Sequence, residues 1–587
     1  MTTLTIEDGR LLRGGRPHRV LSGALHYFRI HPDQWERQLR MLQAMGLNTV
    51  ETYVAWNLHE RTEGEFDFEG FADVEAFIRL AGTLGLDVIV RPGPYICAEW
   101  DNGGLPAWIT ARVGNRVRTS DPEYLAAVDR WLDELIPRIA ALQSTVAGPV
   151  HMVQIENEYG SYGSDSAYLA HMRDALVARG IDVLLFTSDG PEETMLSGGT
   201  LPGVWPTLNF GSHATRAFAL LDRVNPGWPH MCMEFWCGWF DHWGESHSVR
   251  SPADAAEALR EVLDSGASVN VYMAQGGTNF GPWAGANRGG ELHDGALEAT
   301  ITSYDYDAPL DERGEPTEKF HLFREEFARI RAHDGDARPL PDIPPAAPWL
   351  PESVIDLEPA SGPAWPAAIA TAQIPSLDTL GIDQGVAVHR AHVRGPRPAL
   401  SLHVPSFGDR LDVYVDGALI AGGEGSALDV ELPAIPLEGR EVTLVVESHG
   451  RVNYGPRLGE PKGITGPVLH GGQIVHGWES SALRLDDLDA RDGTRAATPI
   501  APAWHGTFPL DAAGDTRLAV EGPDAGVVWI NGFCLGRFDG RGPQVSLHLP
   551  SPLLHAGANE VIVVASVGSR HPHTAPVRVR LQPGTGF

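Results

Sequence analysis

The chain is poor in cysteine. Only Cys97, Cys232, Cys237 and Cys534 occur in 587 residues, too few for a disulfide framework, and each reads as a buried thiol. Cys232 and Cys237 have the spacing of half a zinc site, but no second Cys/His pair lies near them in sequence. His59-Glu60 lacks the second histidine of an HExxH helix. No metal and no cofactor is therefore expected. Positive charge is also scarce: 45 Lys and Arg stand against 76 Asp and Glu, for a net charge of −31. With no Lys/Arg run to build a basic face, nucleic acid is excluded as a partner. The acidity instead favours solubility. No apolar stretch approaches the roughly 20 residues that cross a bilayer, so no membrane partner is expected. The opening Met-Thr-Thr-Leu-Thr-Ile-Glu-Asp-Gly has no cationic head before an apolar run. A signal peptide is not expected, and the expected compartment is the cytoplasm. No G-x-G-x-x-G follows the first apolar run and no P-loop occurs, which argues against a nucleotide-binding open sheet.

What is present is length and pattern. A chain this long needs several cores. Up to about residue 330, short apolar runs at 20–25, 49–53, 88–91, 150–155, 183–187, 207–210, 230–235 and 269–273 read as buried strands. Amphipathic stretches at 34–45, 71–84, 123–142, 168–179 and 253–265 lie between them. Strand and helix alternating about eight times predicts a (β/α)8 barrel over residues 1–335. Residues 336–383, rich in Pro at the start, read as a linker and crossing segment. Helical periodicity then fades. Alternating runs separated by Gly, Asp, Asn and Pro predict two all-β sandwich or jelly-roll domains, 384–490 and 491–587. The run Leu411-Asp-Val-Tyr-Val-Asp-Gly-Ala-Leu-Ile echoes Ala525-Gly-Val-Val-Trp-Ile-Asn-Gly-Phe-Cys-Leu. Each is strand, Asp-Gly or Asn-Gly turn, strand.

Chemistry-bearing residues recur just after the apolar runs: Tyr53, Glu99, Glu158, Asp189, Glu234 and Gln275. A barrel's site is built from those strand ends. In Val153-Gln-Ile-Glu-Asn-Glu-Tyr159 an apolar strand ends in a polar cluster that would be costly to bury without a purpose. In Met231-Cys-Met-Glu-Phe-Trp-Cys-Gly-Trp239 a lone carboxylate, Glu234, sits among rings and apolar groups. Two carboxylates on different strand ends suit glycoside hydrolysis: one protonates the leaving oxygen and the other attacks the anomeric carbon or activates water. The residues alone do not choose between Glu156 and Glu158. The 16 Trp add a mild hint of sugar stacking, against the plainer alternative of core packing.

These strings resemble glycoside hydrolase family 35, the acidic β-galactosidases. The resemblance runs from Ser22-Gly-Ala-Leu-His-Tyr-Phe-Arg29 through Glu51-Thr-Tyr-Val-Ala-Trp-Asn-Leu-His-Glu60 and Arg91-Pro-Gly-Pro-Tyr-Ile-Cys-Ala-Glu-Trp100. It continues with Gly103-Gly-Leu-Pro-Ala-Trp108, Gln154-Ile-Glu-Asn-Glu-Tyr-Gly160, Glu234-Phe-Trp-Cys-Gly-Trp-Phe-Asp-His-Trp-Gly244, Gly276-Gly-Thr-Asn-Phe-Gly281 and Thr302-Ser-Tyr-Asp-Tyr-Asp-Ala-Pro-Leu310. It implies a barrel followed by β-domains and a retaining, exo-acting β-galactosidase. Glu158 would be the acid/base and Glu234 the nucleophile. It further implies that Tyr53 bonds a sugar hydroxyl, that Glu99 and the backbone of Ala98 hold the hydroxyls at C3 and C4, and that Asn157 contacts the 2-hydroxyl. Tyr306, or alternatively Tyr304, would orient the nucleophile. Glu99 has a plainer alternative, an ion pair with Arg91.

At Trp236, two residues after Glu234, animal lysosomal members carry Tyr. An indole cannot accept a hydrogen bond as a phenol can, so the contact there must differ. Competing expectations are another exo-β-glycosidase on the same scaffold, such as an exo-β-glucosaminidase, and a carbohydrate-binding protein without catalysis. Retention of both glutamates stands against the last. The expected partner is a small carbohydrate, with a homo-oligomer left open. With Glu158 protonated and Glu234 ionised at rest, the rate should follow a bell in pH.

Overall fold

The computed structural model describes residues 3–336, 338–425, 427–488 and 500–587. Eight parallel strands close into a barrel: β1 Leu21–Leu25, β2 Thr49–Tyr53, β3 Asp87–Arg91, β4 Val150–Gln154, β5 Leu184–Asp189, β6 Trp205–Phe210, β7 Met231–Trp236 and β8 Ser268–Gln275. β8 pairs with β1 and seals the ring. The strands read as continuous apolar runs because helices cover one face and the barrel interior the other. The helices begin and end where local chemistry dictates. Asp73, Asp121 and Ser251 each accept a hydrogen bond from a first-turn N–H, and Pro122 and Pro252 occupy the first helical position. Gly46 and Gly85 end their helices in the left-handed region. Antiparallel strands Leu4–Glu7 and Arg10–Arg13 precede the barrel, and Leu4 and Leu11 pack on Met152, Trp205 and Met231.

Beyond the barrel the chain is all-β, as expected. A 6-stranded and a 4-stranded sheet share one core around Leu402, Val413, Leu432 and Leu444. An 8-stranded sheet encloses a second core around Trp504, Val528 and Leu581. The two echoing segments are hairpins. Asp416-Gly417 and Asn531-Gly532 both have positive φ at each residue, as a turn matched to twisted strands needs.

The expected linker 336–383 is corrected in part. Ser353–Ala360 lies inside the 8-stranded sheet, between Ala503–Leu510 and Val577–Gln582, and Ile369–Thr371 edges the 6-stranded sheet. The strand patterning of 353–360 was hidden by exposed alternate residues and the prolines around it. The expected boundary at 490/491 lies outside the described residues. Among the described residues no helix is long and apolar enough to cross a membrane.

Candidate active site

At the C-terminal ends of the strands a pocket of about 540 Å³ is lined by Tyr53, Ala98, Glu99, Asn157, Glu158, Glu234, Trp236 and Tyr306, among others. Eight of the nine expected site residues therefore meet in one place. Tyr304 does not line it. Its hydroxyl donates to Glu99 Oε2 at 2.5 Å, so it supports Glu99 from behind. Neither Tyr304 nor Tyr306 hydrogen-bonds Glu234, whose donors are Arg91, Tyr53 and Trp236. Of the remaining strand-end residues, Asp189 is buried and accepts from the Gly160 N–H at 2.8 Å, and Gln275 is buried facing Glu312.

Glu234, at the end of β7, is held by three donors. Arg91 Nη2 approaches Oε1 at 2.6 Å, the Tyr53 hydroxyl at 2.9 Å, and Trp236 Nε1 donates to Oε2 at 3.1 Å. Arg91 is fully buried and lies over the Tyr53 ring, 4.0 Å from its centroid. It serves Glu234 rather than Glu99, which corrects the alternative pairing. A buried Arg at a strand end was the signal that could have revealed this role. Trp236 supplies a donor where a phenol would have offered donor and acceptor.

Glu158 follows β4 with φ 46°, in the left-handed region. Asn209 Nδ2 donates to its Oε1 at 2.9 Å, and the Ser188 hydroxyl, 2.5 Å from Asn209 Oδ1, orients that amide. Burial, then the neighbouring Glu234 charge, push the Glu158 carboxyl up to about 8, against the pull of Asn209 and Arg91. Glu156, two residues earlier, has different partners. Arg118 grips it with two hydrogen bonds of 2.8 and 2.7 Å, and Tyr168 adds a third at 3.0 Å. Asn157 stands between them, its Oδ1 accepting from Arg91 at 2.6 Å.

Cys97, Ala98 and Glu99 all have positive φ, at 55°, 56° and 48°. For residues with a Cβ this costs on the order of 1–2 kcal/mol each, so surrounding contacts must impose it. Arg29 donates to the Ala98 carbonyl, and the Gly285 N–H donates to the Glu99 carbonyl at 2.9 Å. Burial raises Glu99 to about 7. The thiols differ from expectation: all four are free, but Cys97 and Cys534 are only half-buried, and Cys97 lines the pocket.

Sequence reasoning did not single out Trp239, Phe240, His242, Tyr272 or Tyr454 as site residues, although the first three lie inside the motif that runs from Glu234 to Gly244; all five line the pocket. Nor did it group His242, Glu245 and Glu298, whose possible ligand atoms lie within 4.8 Å of one another. His242 already meets Glu245 at 3.0 Å and Asn287 at 3.2 Å.

Comparison with known proteins places the chain in a family. A model described as glycosyl hydrolases family 35 covers residues 10–330. The chain belongs to glycosyl hydrolase family 35. Two further models follow along the chain: "beta-galactosidase, first all-beta domain" at 376–484 and "beta-galactosidase, galactose-binding domain" at 502–559. Among relatives, the beta-galactosidase of Xanthomonas manihotis is 40% identical over 556 residues, covering 93% of this chain and 91% of its own. That of Bos taurus is 38% identical, covering 94% and 89%, and that of Homo sapiens is 37% identical, covering 94% and 85%. Family 35 membership thus spans the barrel and extends through the β-domains.

Proposed function

We propose that this family 35 chain is an exo-acting β-galactosidase that works by double displacement. The observation that carries this is the opposed setting of two carboxylates in one pocket. Glu234 sits among three hydrogen-bond donors, while Glu158 is buried, and that burial together with the neighbouring Glu234 pushes it up to about 8. In the first step a Glu234 oxygen bonds the anomeric carbon as the glycosidic C–O bond breaks, and Glu158 gives its proton to the leaving oxygen. In the second, Glu158 takes a proton from water, which attacks the anomeric carbon and releases Glu234. The Asn157 oxygen is committed to Arg91, which leaves its amide N–H to donate to the 2-hydroxyl, where a contact strengthens in the transition state. Glu99 and the Ala98 backbone take the C3 and C4 hydroxyls, and Tyr53, Trp236 and Tyr306 wall the sugar. A pocket of about 540 Å³ suits one terminal sugar with part of its aglycone. We propose the cytoplasm as compartment, a reducing setting that suits four free thiols; cell fractionation tests it.

The test is hydrolysis of 4-nitrophenyl β-D-galactoside beside the β-glucoside and β-glucosaminide, with NMR of the first-formed anomer. Release of β-galactose first supports both substrate and retention. Preference for the glucosaminide would overturn the specificity, and α-galactose first would overturn the mechanism.

A further inference from the structure

The strained loop that presents Glu99 is not anchored by the barrel alone. Its outer side meets residues 448–454 and Gln384, which belong to the 6-stranded-sheet domain. Asp101, buried two residues after Glu99, accepts on one oxygen from the Arg451 N–H at 2.8 Å and from Gln384 Nε2 at 2.6 Å. The Tyr95 hydroxyl donates to the Asn453 carbonyl at 2.6 Å, and Asn453 Nδ2 donates to Cys97 Sγ at 3.7 Å. A loop segment that follows β8, residues 283–286, lies between. Gly285 N–H bonds Glu99, the Asp101 N–H bonds the Trp283 carbonyl at 2.8 Å, and Ala286 exchanges backbone bonds with Arg451 and Asn453 at 3.0 and 2.9 Å. The approach is close enough that a Cβ on Gly103 would sit 3.0 Å from the Asn453 carbonyl, and one on Gly285 2.9 Å from Asn453 Oδ1. Arg451 is itself fixed from its own domain, 1% exposed, through the Asp383 carbonyl and Asp378 at 2.8 Å each.

We propose that Gln384 and Asn453, on a domain outside the barrel, are positioning residues for sugar discrimination: they hold the Cys97–Glu99 loop where it can read the hydroxyl at C4. This rests on the assignment of Glu99 and Ala98 to the C3 and C4 hydroxyls. A loop of consecutive left-handed residues relaxes when its restraints go, and a displacement of a fraction of an ångström is enough to lose a hydrogen bond aimed at one hydroxyl. Galactose and glucose differ only in that hydroxyl, so the loss falls on galactoside selectivity before it falls on the bond-breaking step. Neither Gln384 nor Asn453 lines the pocket.

The experiment compares wild type, Gln384→Ala and Asn453→Ala on 4-nitrophenyl β-galactoside and β-glucoside. The expected result is a fall of about tenfold in the ratio of the two kcat/KM values, led by a higher galactoside KM, with the pH limbs of kcat unmoved. A merely structural role would lower both substrates alike and leave the ratio intact; that result, in either variant that folds, overturns the inference. Should both fail to fold, Asp101→Asn, which weakens the same anchor from the barrel side, is read by the same ratio. A wild type that does not prefer the galactoside would instead sink the substrate assignment on which the inference rests.

Discussion

The barrel has a cavity at each end, and the larger one is not where the chemistry gathers. The floor cavity, about 1160 Å³, is lined by Arg13, His18, Asp87 and Arg19 near the strand starts, whereas the mouth holds about 540 Å³. On the floor the charges are spent on each other. Arg13 pairs with Asp87, Arg19 with Asp334 at 2.7 Å, and Arg331 with Asp336 at 2.7 Å. At the mouth, Glu99 and Glu158 stand in left-handed backbone, each bonded by a neutral donor, Tyr304 and Asn209, rather than paired with a cation. The titrations diverge accordingly. Burial pushes Asp87 up, but His151 and Arg13 outweigh it and its net shift is downward, while Glu99 and Glu158 go up to about 7 and about 8. Volume and charge density do not mark a site; unspent charge held at a cost does.

The strongest way to sharpen that contrast is Glu234→Gln, which should cut kcat/KM by about 10³-fold or more with the fold intact, as read by circular dichroism. Full activity would dissolve the distinction between the two ends. Glu158→Gln should cost about 10²–10⁴-fold on an alkyl galactoside but much less on a dinitrophenyl one, whose leaving group needs no proton. Equal losses on both would remove Glu158 from the acid role. In wild type, kcat/KM should fall as pH rises through about 8, the value at which Glu158 loses its proton.

Thermal stability should show both ends at once. Glu158, raised from 4.5 to about 8, is protonated in the fold and ionised when unfolded over that span, so it costs stability as pH rises through it. Asp87, lowered from 3.8, contributes stability above that value and loses it as pH falls below. From these two groups the melting temperature should peak at about pH 4, with Glu158→Gln flattening the alkaline side and Asp87→Asn the acid side. The smallest effect is expected on the floor: Arg13→Ala should lower the melting temperature slightly and leave kcat/KM unchanged. A large loss of activity there would give the floor a role it now lacks.

The barrel was legible because its strands are buried on both faces. Their apolar runs survive as continuous text, and the observed ends differ by only a residue or two. Glu234 was legible for the opposite reason, a charge in apolar surroundings. Glu156 and Glu158 were not separable by local pattern, and only the family resemblance chose Glu158, since what distinguishes them in the fold is Arg118, far off in sequence. Tyr304 and Tyr306 were likewise alike until Glu99 claimed one of them. Arg91 was visible only as an alternative partner for Glu99, and the fold puts it on Glu234 instead. Period reveals what an element is, not which distant partner it will meet, and strand 353–360 is the plainest case.

That strand also sets an order of events. A ribosome delivers Ser353–Ala360 well before Ala503–Leu510 and Val577–Gln582, the two neighbours that flank it. The barrel can close during synthesis, but this strand must wait with one edge open after Ala503–Leu510 has emerged, until Val577–Gln582 follows. A nascent chain stalled short of residue 577 should therefore carry a finished barrel beside an unfinished, aggregation-prone sheet, and chaperone demand should concentrate in that interval.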